Sequence, residues 1–166
     1  MVKQRPKLKI PLRVFDYFLE ISSTALILFC LTFIFVMWNQ LPDRVATHFN
    51  FAGQADSYGS KNELLILLPV LLLLYILLTV LNRFPHIYNY VVEITENNAE
   101  RQYRFARRFI TILKTEIIMI LTYIQFATLQ SAKYGSFTLG MFFLPITLLM
   151  VFGTIGIYIV LSVKAK

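Results

Sequence analysis

Four uncharged stretches set the plan of this chain. They run from Ile21 to Pro42 (22 residues), Leu64 to Asn82 (19), Ile117 to Ala132 (16) and Tyr134 to Val163 (30). A helix rises about 1.5 Å per residue and the hydrocarbon core of a bilayer is about 30 Å thick, so roughly 20 apolar residues cross it. The first two runs qualify as they stand. The third extends back past Lys114 and Glu116 towards Phe109, and the fourth starts its helix after a turn at Gly135 and Ser136. Eleven leucines fill the second run, each favouring insertion by about 0.5 kcal/mol. The pattern predicts an all-α integral membrane fold, a four-helix bundle forming one domain over residues 1–166. Its spans are expected at about 17–39, 61–82, 109–132 and 138–161, with a structured outer loop at 40–60 and a cytoplasmic loop at 83–108.

Charge gives the predicted bundle an orientation. Lys3, Arg5, Lys7, Lys9 and Arg13 precede the first span, Arg83, Arg101, Arg104, Arg107 and Arg108 separate the second from the third, and Lys164 and Lys166 follow the fourth. Only Arg44, Lys61 and Lys133 lie on the opposite side, so the positive-inside rule puts both termini and the central loop in the cytoplasm. The same distribution accounts for the net charge of +7 without a nucleic-acid partner. Composition agrees with a bilayer setting: 57% of the residues are hydrophobic and 15% charged, with a mean hydropathy of +0.64. A single cysteine, Cys30, excludes an internal disulfide and reads as a small apolar residue within the first span.

The leucine-rich monotony breaks between the first two spans, from Leu41 to Glu63. Pro42 ends or redirects the first helix, Gly53 and Gly59 are the positions best able to take positive φ, and Ser60 with Glu63 forms a capping box that starts the second helix at about Lys61. His48, Asn50, Asp56 and Tyr58 crowd into eleven positions, more chemistry than a solvated connector needs. His48 could ligate a divalent metal with Asn50, Asp43 and Asp56 supplying oxygens, Asp56 above all. The other reading is that it ties the loop by hydrogen bonds or responds to pH. Asp43 and Asp56 read singly as a cap and a turn donor; together with His48 and Lys61 they read as a binding surface. No cofactor is expected beyond that candidate metal.

These residues resemble a family. Leu41-Pro42-Asp43, His48-Phe49-Asn50, Gly53, Asp56 and Gly59-Ser60-Lys61 are similar to the pattern of small bacterial membrane proteins called domain of unknown function 1648. Tyr88-Asn89-Tyr90, Ile94 to Asn98 and Arg101-Gln102-Tyr103 match its cytoplasmic loop, while Ala46 and Val91 stand where members often carry proline. The resemblance implies a multi-pass protein of the bacterial plasma membrane. Because the motif is shared with Sdp-type toxin immunity proteins, it also implies a binding or protective role for an outer loop comprising Pro42, Asp43, His48, Asn50, Gly53, Asp56 and Lys61. The expected partners are the lipid bilayer and a peptide toxin, lipid or membrane protein.

The third span offers a second candidate. Thr111, Lys114, Thr115, Thr122 and Gln125 share an arc of about 100° at helical spacing, with Glu116 on another sector beside Tyr123 and Gln130. A polar path through Thr115, Glu116, Thr122 and Gln125 would suit a small transporter or membrane enzyme. Interhelical hydrogen bonding is the plainer reading, with Lys114 snorkelling to the cytoplasmic surface. Gly153 and Gly156 suggest close helix packing, and Pro69 and Pro145 suggest bends. Thr95 reads as the cap of a cytoplasmic helix that runs into the third span and whose arginines suit anionic lipid heads. Phosphate-loop, dinucleotide-fold and nucleophile-elbow motifs are absent, which favours a non-enzyme. The charge count makes one direct prediction: reporter fusions after Lys166 and within Asn89 to Glu100 report cytoplasm and a fusion after Gly53 reports the exterior, whereas an external C-terminus would overturn the orientation.

Overall fold

The first helix starts where a carboxylate can satisfy a free amide: Asp16 accepts the Arg13 N–H at 2.8 Å, an N-terminal cap. In the computed structural model, which describes residues 5–135 and 137–166, α1 (Val14–Met37) leads to a hairpin of β1 (Arg44–Phe49) and β2 (Ala55–Ser60). Then come α2 (Leu64–Leu81), α3 (Ala99–Tyr134) and α4 (Phe143–Lys164). Lys3 of the charge count and Ser136 of the predicted turn lie outside the described residues. With the short 3-10 turns Trp38–Gln40 and Lys61–Glu63 included, four helices are long and apolar enough to cross a membrane.

α3 is the axis. It packs against α1, α2, α4 and β1, and its 36 residues rise about 54 Å, well beyond the hydrocarbon thickness. Its start is set by Thr95 and Asn98, each accepting the other's backbone N–H on its side chain (2.9 and 3.3 Å), and the Ala99 N–H already bonds the Thr95 carbonyl. α1 meets the axis with a single stripe, Leu19, Ser23, Ile27, Cys30, Ile34 and Met37, spaced three or four apart. α2 buries only Leu64 and Leu71, so its leucines mostly face outward, as suits lipid contact.

Several details differ from the sequence expectation. α1 is over at Met37, ahead of Pro42, which stands exposed in the connector before β1. α4 begins at Phe143 rather than near 138, because Gly140 adopts a φ of 86° and residues 137–140 form a loop. That shift puts Pro145 in the first turn of α4, where a missing N–H removes no intrahelical bond. Gly153 and Gly156 make no close packing contact: a Cβ added at either would meet open space among the described residues. Gly135 does take the predicted turn role, closing α3 with a φ of 72°.

Both terminal segments lie at one end of the bundle and the hairpin at the other. The segment before α1 crosses the start of α3, with Ile10 packed on Ala99 and Tyr103 and its carbonyl bonded by the Arg107 guanidinium. Arg5 bonds the Tyr88 carbonyl at 2.6 Å and lies over the Tyr90 ring. Burial pushes the Tyr88 phenol up to about 12 and that of Tyr90 higher still. Both hydroxyls therefore stay protonated and donate to the Leu81 and Pro85 carbonyls. At the end of α4, Gln102 donates to the Ser162 and Ala165 carbonyls (2.9 and 3.0 Å) and accepts from the Ser162 hydroxyl (2.6 Å). This satisfies carbonyls that a helix end leaves without partners.

Three of the five residues of the polar stripe on α3, Thr111, Lys114 and Thr115, hold helices together. Asn82 donates to Thr111 at 2.7 Å and Ser23 bonds Thr115 at 2.9 Å. Lys114 does not snorkel. Its ammonium donates to both Glu20 oxygens at 2.7 Å and to Thr79 at 2.9 Å, with its side chain 1% exposed. The Tyr75 hydroxyl also donates to Glu20, and its ring lies 4.6 Å from the ammonium. Breaking such a pair from one side leaves an uncompensated charge and costs about 3–5 kcal/mol, while replacing both partners is far less damaging. Glu20→Gln should therefore lower the melting temperature in detergent sharply and Glu20→Gln with Lys114→Met should recover most of the loss. Equal stability of the single variant and the parent would remove the pair as a structural element.

Candidate functional site

The hairpin between α1 and α2 is assembled by the motif residues themselves. Asn50 makes the turn: its side-chain oxygen accepts the Ala52 and Gln54 N–H groups, both at 3.0 Å, and its backbone bonds Gln54 and Gly53. At the base, the Lys61 N–H donates to the Asp43 carbonyl at 3.0 Å, and the Lys61 ammonium reaches the Asp43 carboxylate at 3.3 Å while lying over the Trp38 ring. The predicted capping box is present, with the Ser60 N–H donating to Glu63 at 2.9 Å and the Asn62 N–H to Ser60 at 3.3 Å. Val45 and Ala46 are buried and fix β1 onto α3.

Two glycines permit close approaches. Gly53 has a φ of 75°, and a Cβ there would come within 2.7 Å of the Gly140 nitrogen and oxygen. The Gly53 carbonyl accepts the Leu139 N–H at 2.8 Å, and the Leu139 carbonyl accepts the Tyr123 hydroxyl at 3.1 Å. The hairpin tip is thereby latched to the α3–α4 loop. Gly59 does not take positive φ as expected; it is small because the Glu63 carboxylate and Thr47 methyl occupy the space a Cβ would need. Leu139, Gly140 and Tyr123 were missed in the sequence, where the only signal was a glycine inside an otherwise apolar run.

His48 and Asp56 come together on the outer surface of the hairpin. The register shifts on both sides of His48, a bulge that changes how its side chain is presented. Nδ1 of His48 lies 2.5 Å from the Asp56 carboxylate, with the two side chains 67% and 41% exposed. The pair is preassembled and accessible. The wider metal set is not brought together, since Asp43 is held by Lys61 and the Asn50 oxygen by two amides. No group of three or more His, Cys, Asp or Glu that could hold a metal occurs among the described residues. His48 and Asp56 alone fall short of the four ligands of a structural zinc site or the three of a catalytic one.

The intramembrane candidates divide. Thr115 is consumed by Ser23. Glu116 accepts a hydrogen bond from Thr154 of α4 at 2.5 Å on one oxygen, while its other oxygen, the Thr122 hydroxyl and the Gln125 amide nitrogen are buried without partners. They do not form one path, because Glu116 faces α4 and Gln125 faces α2 and the hairpin.

Comparison with known proteins finds a family model that matches part of the chain. The model of the domain of unknown function called DUF1648 matches residues 25–73, which cover the second half of α1, the whole hairpin and the first half of α2. An uncharacterized protein of Archaeoglobus fulgidus is 31% identical over 111 residues, which cover 60% of this chain and 58% of that protein. No solved structure matches.

The latch makes a prediction. Gly53→Ala adds a Cβ at positive φ against the Gly140 backbone, so it should destabilise by more than about 1 kcal/mol. The loss should appear as a lower melting temperature together with new protease cleavage in the hairpin, and an unchanged melting temperature with an uncleaved hairpin would mean the tip is not docked.

Proposed function

We propose that this multi-pass protein sits in the plasma membrane of a bacterial cell with both termini in the cytoplasm, and that its hairpin binds a partner at the outer surface. The role is protective, of the toxin-immunity kind, and the partner is a membrane-active peptide rather than a bulk lipid or a constitutive membrane subunit. The observation that carries this reading is the division of work within the motif. Asn50 builds the turn, Gly53 docks the tip, and the Asp43 backbone with Lys61 closes the base, whereas the His48 and Asp56 side chains are paired with each other and exposed. A fixed imidazole–carboxylate pair can donate and accept hydrogen bonds at once and suits peptide backbone and side-chain groups. The shared motif with immunity proteins supports the same direction.

A second reading rests on the unpartnered polar atoms of Glu116, Thr122 and Gln125, which would suit a small transporter or membrane enzyme. Thr122 is only 4% exposed and these groups face different neighbours, so the hairpin reading is favoured.

The test is protection of a deletion strain against membrane-active peptides by plasmid-borne variants. His48→Ala and Asp56→Ala should each reduce survival to the empty-vector level while the protein still accumulates, and the double variant should be no worse than either, because residues acting as a unit give non-additive losses. Full protection by the double variant would overturn the proposal.

A further inference from the structure

Beneath the hairpin, between α2 and α3, is a cavity of about 280 Å³ that the hairpin's own hydrogen bonds leave unused. Thr47 and Glu63 stand on its polar side near the strands, Gln125 and Thr128 on the α3 wall, and Leu67 and Val70 further along α2. Gln125 is 3% exposed and its amide nitrogen has no partner in the protein. Buried amides are nearly always hydrogen-bonded. The terminal torsion of a glutamine is broad and two-fold, so its nitrogen can be turned to the cavity it lines.

Three features select the occupant. Over the seven steps from Glu63 to Val70, about 10 Å of helix, the α2 wall passes from a carboxylate to aliphatic side chains, with the Gln125 amide facing it from α3, as a glycerolipid passes from a polar headgroup and esters to an acyl chain. The position, below the hairpin and beside a helix whose leucines face lipid, is open to one leaflet. The charged residue in the cavity lining is Glu63, which uses one oxygen on the Ser60 N–H, so an anionic headgroup is disfavoured there. Of the two basic residues next to it in the hairpin base, the Lys61 ammonium is held by Asp43 and the Arg44 guanidinium by the Tyr58 carbonyl, and most of the arginines lie at the opposite end of the bundle.

We infer that this cavity binds an aminophospholipid of the phosphatidylethanolamine type from the leaflet on the hairpin side. Its ammonium lies beside Glu63, an ester carbonyl accepts from Gln125, and the acyl chain runs against Leu67, Val70 and Ile124. The site does not involve His48 or Asp56 and stands independently of the peptide reading.

The test is native mass spectrometry of the full chain in mild detergent, titrated with dioleoyl phosphatidylethanolamine and, separately, dioleoyl phosphatidylglycerol. The wild type should retain one phosphatidylethanolamine in preference to phosphatidylglycerol. Gln125→Leu should weaken that binding about five-fold or more, the effect of one lost hydrogen bond. Glu63→Gln, which keeps the capping box, should abolish the preference between the two lipids. Should Gln125→Leu fail to fold, Val70→Trp, which fills the cavity and leaves the amide in place, should displace the lipid. His48→Ala should leave retention unchanged, so failure of this inference and failure of the peptide reading are distinguishable. Equal retention by wild type, Gln125→Leu and Val70→Trp, or no retention above the phosphatidylglycerol level, would overturn it and leave the cavity to water. Loss of peptide protection in Gln125→Leu with lipid retention intact would assign the cavity to the peptide and overturn it as well.

Discussion

Inside hydrocarbon no water is present to complete a hydrogen bond, so a polar side chain on a membrane-crossing helix finds its partner on its own backbone or on another helix, or stays unsatisfied at a cost. That constraint organises this bundle. Apolar packing alone cannot choose the arrangement, because a leucine gains little by exchanging lipid for a neighbouring leucine. α3 carries the polar groups, and their partners on α1 and α2 fix both helices against it: Glu20 and Ser23 from one side, Thr79 and Asn82 from the other. The Lys114–Glu20 pair is the strongest of these demands. An ammonium 1% exposed tolerates no arrangement in which Glu20 is elsewhere.

The hairpin solves a different problem with the same economy of groups. A two-stranded ribbon is marginal by itself, and this one has few apolar residues to bury. It is held at three points: the Asp43–Lys61 base, the Val45–Ala46 contact with α3, and the Gly53 latch to the α3–α4 loop. With those contacts fixing the backbone, the exposed pair His48–Asp56 needs no further support and remains free to meet another molecule.

Much of this was readable in the sequence, and the exceptions share a cause. The four helices, the Ser60–Glu63 cap, the turn glycine at Gly135 and the ordered character of residues 41–63 follow from local signals: hydropathy, capping chemistry and glycine placement. The two strands did not, because Ala55–Ser60 shows no alternation of apolar and polar residues and its pairing is set by the Asn50 turn and the contact with α3. The fate of Lys114 was missed because its partner Glu20 lies 94 residues away, next to a run that was bounded by that very charge. The pairing of His48 with Asp56, eight residues apart, was suggested by crowding, but crowding equally suggested Asp43 and Asn50, which lie at the base and the turn of the hairpin with partners of their own. Local chemistry specifies which groups are available; long-range geometry decides which of them remain unspent.

The same logic explains the position of α4. It buries only Ser162 among its helical residues and packs chiefly on α3, through contacts that lipid could replace at small cost. What locates it are polar ties: Gln102 at its C-terminal end, Thr154 donating to Glu116 midway, and, just before its start, Leu139 bonded to Gly53 and Tyr123. The hairpin is therefore one of the fixtures of the fourth helix as well as a surface feature. The tip is joined through the Gly53–Leu139 bond to the loop that starts α4, whose other ties are Thr154 on Glu116 and the C-terminal carbonyls on Gln102.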